Sequence, residues 1–130
     1  MKIHATGLCS LCNKDDTIQH FFIHCDKTLI FWKSFYTWWN SFGLFQTPGI
    51  GITNILFGYP EITEFASVLN YMLLIAKYHI YKQKQATSHP FFPQFLIELN
   101  NQLNVDENIS RKNDNLSDFT DKYELIYHSF

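Results

Sequence analysis

Between residues 27 and 42 the apolar positions fall three and four apart. Leu29, Trp32, Tyr36 and Trp39 make one stripe, and Phe31, Phe35, Trp38 and Phe42 make its neighbour. That spacing predicts a helix. Lys33, Ser34, Thr37 and Ser41 take the remaining face, and an apolar arc this broad has to be buried on more than one side. Gly43 supplies a C-terminal stop. Gln46-Thr47-Pro48-Gly49-Ile50-Gly51 reads as a loop, and Ile52–Gly58 as a strand-like connector or one helical turn. Pro60 suits a first helical position and opens a long helix to about Lys84, with Ser67, Asn70, Lys77 and Lys84 drawing a thin polar line along it. Ser88-His89-Pro90 breaks the pattern. Phe92, Leu96, Leu99 and Leu103 then predict a helix from near Pro93 to about Arg111, and Leu116, Phe119, Tyr123 and Ile126 a last short one beyond the Asn113-Asp114-Asn115 turn. The fold class that follows is all-α.

The first residues follow a different logic. Residues 1–16 read as a short extended segment and a knuckle turn, with Asp16 or Thr17 able to cap a short helix. All three cysteines of the chain lie here, with a histidine, as Cys9-x2-Cys12-x7-His20-x4-Cys25. Two cysteines two residues apart can close a tight knuckle round a metal ion, and a second pair from the next segment completes a tetrahedron of sulfur and nitrogen donors suited to Zn2+. Four protein ligands leave no open position for water, so the expected site is structural. His20 and His24, four apart, can also face one ion from a single helical turn, so His24 and Cys25 compete for the fourth position. Thiolate binds zinc well, which favours Cys25. The expected architecture is a small zinc knuckle packed on an irregular multi-helix bundle. Residues 1–42 hold the knuckle module and aromatic helix, and residues 43–130 a helical C-terminal region, read as one continuous domain.

Composition adds a surplus of aromatic surface. Of 130 residues 46% are apolar and 18% aromatic, enough for a real core with some left to cover a partner. Net charge is only −2, so no overall basic field marks a nucleic-acid binder. The charge is uneven, however. Residues 1–90 carry seven Lys against five acids, and residues 91–130 three basic groups against seven acids, which places any phosphate contact in the first two thirds. The start lacks the apolar run of a signal peptide, and three cysteines without a secretion signal argue against a disulfide framework. The most membrane-like run, Phe65–Ala76, contains Ser67 and Asn70 and is shorter than the ~20 residues a span needs. A cytoplasmic or nuclear, non-secreted protein is expected.

The residues also carry a resemblance. Thr6-Gly7-Leu8-Cys9-Ser10-Leu11-Cys12, then Asp16-Thr17-Ile18-Gln19-His20-Phe21-Phe22, Cys25 and Phe31-Trp32, are similar to the zinc-binding C-terminal region of LINE-type (non-LTR) retrotransposon reverse transcriptases. The likeness continues through Ile55-Leu56-Phe57-Gly58, Ala76-Lys77-Tyr78-His79-Ile80-Tyr81-Lys82 and Phe95-Leu96-Ile97-Glu98-Leu99. It implies that Cys9, Cys12, His20 and Cys25 bind metal, that Lys77 and Lys82 are recurrent basic positions, and that the region helps to hold template RNA or target DNA. Two positions depart from the family pattern: Asp26 stands where a Pro often follows the last ligand, and Tyr123 where a Trp often ends the last helix.

The aromatic-x-Asp-Asp motif of a polymerase is missing, and no second carboxylate cluster is present to hold the two magnesium ions of nucleotide transfer. The chain is therefore expected to be non-catalytic, a detached or truncated tail whose partners are RNA or DNA. Lys14, Lys27 and Lys33 near the metal site, and Lys77, Lys82 and Lys84 at the end of the long helix, are the candidate phosphate contacts. Trp32, Trp38 and Trp39 can stack on bases, but helical spacing makes them core residues first, with Trp38 the most exposed of the three. The alternative is an interaction or scaffolding module, docking its aromatic surface on a polymerase thumb or on itself.

Overall fold

The computed structural model describes residues 9, 11–12, 14, 17–41, 51–60, 64–114 and 123. Every element in these residues is helical. A π-turn, His20–His24, leads into α1, Asp26–Asn40; α2 is Ile52–Phe57, α3 Glu64–Gln85 and α4 Phe92–Lys112. The expected end of the aromatic helix at Phe42 and Gly43, and the last helix at Leu116, Phe119 and Ile126, lie outside the described residues, although Tyr123 is helical and buried.

One buried cluster draws on the π-turn and all four helices. Phe31, Trp32, Phe35 and Trp39 come from α1, Ile55 from α2, Leu69, Met72, Leu73, Ala76 and Ile80 from α3, and Phe95, Leu99 and Leu103 from α4. Phe31 and Phe35 of one stripe and Trp32 and Trp39 of the other thus face the core, while Leu29 and Tyr36 are 40% and 39% exposed. Trp32 and Trp39 are buried and Trp38 is half-buried, in the expected order. On α3, Ser67 is exposed and Asn70 and Lys77 are half-buried, but Lys84 is wholly enclosed. Pro93 sits in the first turn of α4, where its missing N–H costs nothing.

Polar side chains lock the connections. Asn70 Oδ1 accepts from the Tyr59 amide at 2.7 Å, and its Nδ2 donates to the Tyr59 carbonyl at 3.0 Å. Gly58 beside it has φ +80° and ψ −176°, backbone that is essentially glycine's alone. A Cβ there would stand 2.9 Å from Asn70 Oδ1. Lys77 Nζ donates to the Leu56 carbonyl at 3.2 Å, satisfying one of the open acceptors at the end of α2.

His79 of α3 is fully buried and ties α3 to α4. Its Nδ1 lies 3.1 Å from both oxygens of Glu98, and its Nε2 accepts from the Phe91 amide at 3.1 Å, so the ring proton sits on Nδ1 and is donated to the carboxylate. Lys82 completes the group, 3.0 Å from Glu98 Oε1. Burial holds the His79 pKa below the ordinary imidazole value even beside Glu98. Burial on its own would raise Glu98, but hydrogen bonds from Lys82 and His79 outweigh it and bring the carboxyl down.

Both shifts make the fold acid-sensitive. A buried imidazole with a lowered pKa takes up its proton later than the unfolded chain does. Stability therefore falls as pH drops through the unfolded histidine value of about 6.5, because the unfolded state binds the extra proton. Urea unfolding at about pH 7.5 and about pH 6 should show lower stability at the lower pH, and the difference should shrink in a His79→Phe variant, since the proton-uptake difference goes with the imidazole. An unchanged pH difference in that variant would exclude His79 as its source.

Candidate metal centre

The knuckle, the π-turn and the start of α1 bring four donors together. The Cys9 amide donates to the Lys14 carbonyl at 2.7 Å, folding the chain back so that both knuckle sulfurs face one way. Thr17 is the cap: its Oγ1 accepts from the His20 amide at 3.1 Å, three residues on, as an N-cap side chain does. The turn then widens. The Cys25 amide reaches back five residues to the His20 carbonyl, at 2.9 Å, instead of the four of an α-helix.

That extra residue selects the fourth donor. In an α-helix, positions four apart share a face, which is what makes His24 a competitor. The wider ring brings Cys25 rather than His24 over His20. His24 is exposed and takes no part in the cluster. Cys25, with φ −60° and ψ 133°, leaves the turn in an extended conformation and heads α1. Asp26 follows as the first helical residue, where a carboxylate complements the helix dipole and where proline also fits.

The widened turn leaves carbonyls without helical partners, and neighbouring helices supply them. Trp32 Nε1 donates to the Phe22 carbonyl at 2.7 Å. The Phe21 carbonyl receives Lys84 Nζ at 3.0 Å and Thr28 Oγ1 at 3.5 Å. The turn that carries His20 and Cys25 is thus held by side chains from α1 and α3.

Cys9 Sγ lies 3.8 Å from Cys25 Sγ, Cys25 Sγ 4.0 Å from Cys12 Sγ, and Cys12 Sγ 3.1 Å from His20 Nε2. All four donor atoms lie within 4.8 Å of one another. A tetrahedral ion with metal–sulfur bonds of about 2.3 Å separates its sulfurs by roughly 3.8 Å, so the donors already stand near the corners such an ion requires. The four side chains can hold a metal ion. Compared with family models, curated proteins and solved structures, the chain matches none of them.

The three sulfurs are free thiols in unlike surroundings. Cys9 and Cys25 are buried and Cys12 is half-buried. Burial pushes the Cys12 thiol up, reinforced by its sulfur neighbours and opposed by the Lys14 amide. At Cys25 burial also acts upward, but the Lys27 amide, the charge of Lys84 and the Thr28 amide outweigh it, and the thiol is lowered. Those two amides belong to the open first turn of α1, where N–H groups have no helical acceptor and favour an anion.

The lysines are dispersed. Lys14, 3.7 Å from Asp26, is exposed beside the cluster, and Lys27 and Lys33 are exposed on α1. Lys77 is tied to the end of α2. Lys82 is paired with Glu98 and lies 4.8 Å from the Tyr78 ring centre. Lys84 requires a correction: it is 0% exposed, with its ammonium 4.5 Å from the Phe21 ring centre, so a phosphate outside the fold does not reach it. The sequence reading missed the His79–Glu98–Lys82 group entirely. The partners are nineteen positions apart or less and belong to two helices, and only the loop between α3 and α4 brings them together.

Proposed function

We propose that the chain is a zinc-stabilised helical module that performs no chemistry of its own and holds an RNA or DNA backbone, as the resemblance to the C-terminal region of LINE-type reverse transcriptases implies. The convergence of Cys9, Cys12, His20 and Cys25 carries the zinc part of this reading. Three thiolates and an imidazole form a donor set that suits Zn2+ and excludes hard ions such as Mg2+ and Ca2+, which take oxygen ligands. One zinc per chain, lost on chelation and lost in Cys9→Ser, is the expected stoichiometry.

The nucleic-acid part rests on the resemblance and on three exposed lysines, Lys14 and Lys27 next to the ligands along the chain and Lys33 further along α1. Three phosphate contacts give log K falling against log salt with a slope of roughly −2 to −3. Binding of single-stranded RNA and duplex DNA, titrated from low to physiological salt, should show that slope. Lys33→Glu should weaken binding and flatten the slope. No binding at low salt sinks the nucleic-acid reading.

A second reading, a protein-interaction module, is supported by an apolar groove of about 430 Å3 between the start of the π-turn, α2 and α3. Phe57 is 83% exposed, Leu74 60% and Tyr78 58% along it. A stable dimer in solution without affinity for RNA or DNA would favour this reading over the first. Among the described residues no helix is long and apolar enough to cross a membrane.

A further inference from the structure

A hollow of about 280 Å3 opens between α1 and the loop that leads from α3 into the first turn of α4. Lys27, Ile30, Phe31 and Ser34 line it from α1, at i, i+3, i+4 and i+7, which places them on one face of the helix. The loop opposite is stiff. Pro90 and Pro93 fix their own backbone angles, and the Phe91 amide donates to Nε2 of the buried His79 at 3.1 Å. On this fixed backbone the Phe91 ring is nonetheless 54% exposed, with the His89 ring 6.5 Å away and nearly perpendicular to it. The lining is aromatic and cationic together. Asp26, the acid next to Lys27 in the chain, pairs with Lys14 at 3.7 Å, and among the described residues no carboxylate lines the hollow. Lys27 therefore sets its charge, which favours an anion. An exposed ring held on a stiff backbone favours a flat partner, because little ordering is lost when the two stack. The volume, near the roughly 300 Å3 lower end of small-molecule sites, admits one flat ring and its attached sugar. A nucleotide joins those three properties in one unit.

We propose that this hollow takes one unpaired nucleotide of a single strand, with the base against Phe91 and the adjoining phosphate at Lys27. This rests on the nucleic-acid reading above and adds to it the place where a base is gripped. It also selects the form of the strand. A base inside a duplex is covered on both faces by its neighbours and held by its partner, so only an unpaired one can enter. Every base has a flat face, so stacking on Phe91 distinguishes single from double strands and not one sequence from another.

The test uses the full zinc-loaded chain and three probes: a short single-stranded RNA, the same strand without its bases, and the same strand paired with its complement. Wild-type protein should bind the intact single strand most tightly. Phe91→Ala should weaken that binding by about 5- to 100-fold, the usual worth of one stacked base, and move the other two probes by less than about 2-fold, since their phosphate contacts are untouched. Its salt slope should match wild type, whereas Lys27→Gln should flatten the slope by about 0.7, the worth of one phosphate contact on a single strand. An unchanged slope in Lys27→Gln overturns the proposal. Phe91→Trp keeps a flat ring and should keep the affinity, so a loss as large as that of Phe91→Ala overturns it too. An equal loss of all three probes in Phe91→Ala makes Phe91 a structural residue, and overturns the proposal while leaving the nucleic-acid reading intact. Adenosine monophosphate that binds as tightly as the strand, or a phosphotyrosine peptide that binds where the strand does not, likewise overturns it. No binding of any of the three probes at low salt overturns both readings.

Discussion

Removing the metal is expected to unfold the segment from Cys9 to Cys25 and to release the start of α1, while α3 and α4 keep much of their structure. Structural zinc contributes on the order of 10–16 kcal/mol in small finger peptides, comparable with the whole stability of an ordinary domain at about 5–15 kcal/mol. The knuckle's described backbone link is the Cys9–Lys14 hydrogen bond, and Cys9 and Cys25 are buried against one another. Without an ion, three sulfurs and an imidazole crowded within 4.8 Å repel one another when the sulfurs are thiolates. The damage should then spread through Phe21, which is 0% exposed and shared between the turn and the core. Hydrogen exchange with and without chelator is the measurement. Protection should vanish over residues 17–30 and persist at Leu73 and Ala76 of α3 and Leu99 and Leu103 of α4, buried on two helices that pack on each other. Cys25→Ser should reproduce the effect of the chelator, because it removes a donor and weakens the junction between the turn and α1 together. Full protection of the turn after the metal is gone would show that packing alone holds it.

How far the sequence reveals this centre depends on which kind of order is being read. The ligand spacing is local and chemically distinctive, so Cys9, Cys12 and His20 are visible from the residues alone. The choice between His24 and Cys25 is legible only from the chemistry, thiolate being the better zinc ligand, because periodic reasoning assumes 3.6 residues per turn and the chain inserts a π-turn at His20–His24. Nothing in His-Phe-Phe-Ile-His announces a wider turn. What stabilises it lies in distant residues, with Trp32, Thr28 and Lys84 supplying donors to its open carbonyls. Lys84 was hidden for the same reason. A lysine in line with Ser67, Asn70 and Lys77 reads as solvated, and its contact with Phe21 of the π-turn joins residues sixty-three positions apart. The helices are legible because their apolar spacing repeats over several turns. Their exact facing is less so, because it depends on the partner.

Phe31→Ala should have the second largest effect, and it tests that facing directly. Two apolar stripes run along α1, and spacing alone does not say which of their residues meet the core. Phe31 is 1% exposed and joins three helices: its ring stacks on His79 of α3 with centroids 5.6 Å apart and an interplanar angle of 24°, and meets Phe92 and Phe95 of α4 edge-on at 5.9 Å and 5.5 Å. Truncating a buried Phe to Ala costs about 3–5 kcal/mol, through lost transfer energy and the cavity left behind. Here the cavity opens against a buried imidazole, which loses its stacking partner as well. Leu29, two residues earlier and so on the opposite side of α1, is 40% exposed and should behave as a surface residue, with Leu29→Ala within about 0.5 kcal/mol of wild type. In zinc-loaded protein the urea midpoint should fall by roughly 2 M for Phe31→Ala, at an ordinary denaturant slope, and hardly move for Leu29→Ala. Equal losses at the two positions would mean that Leu29 is covered as well, by a partner surface.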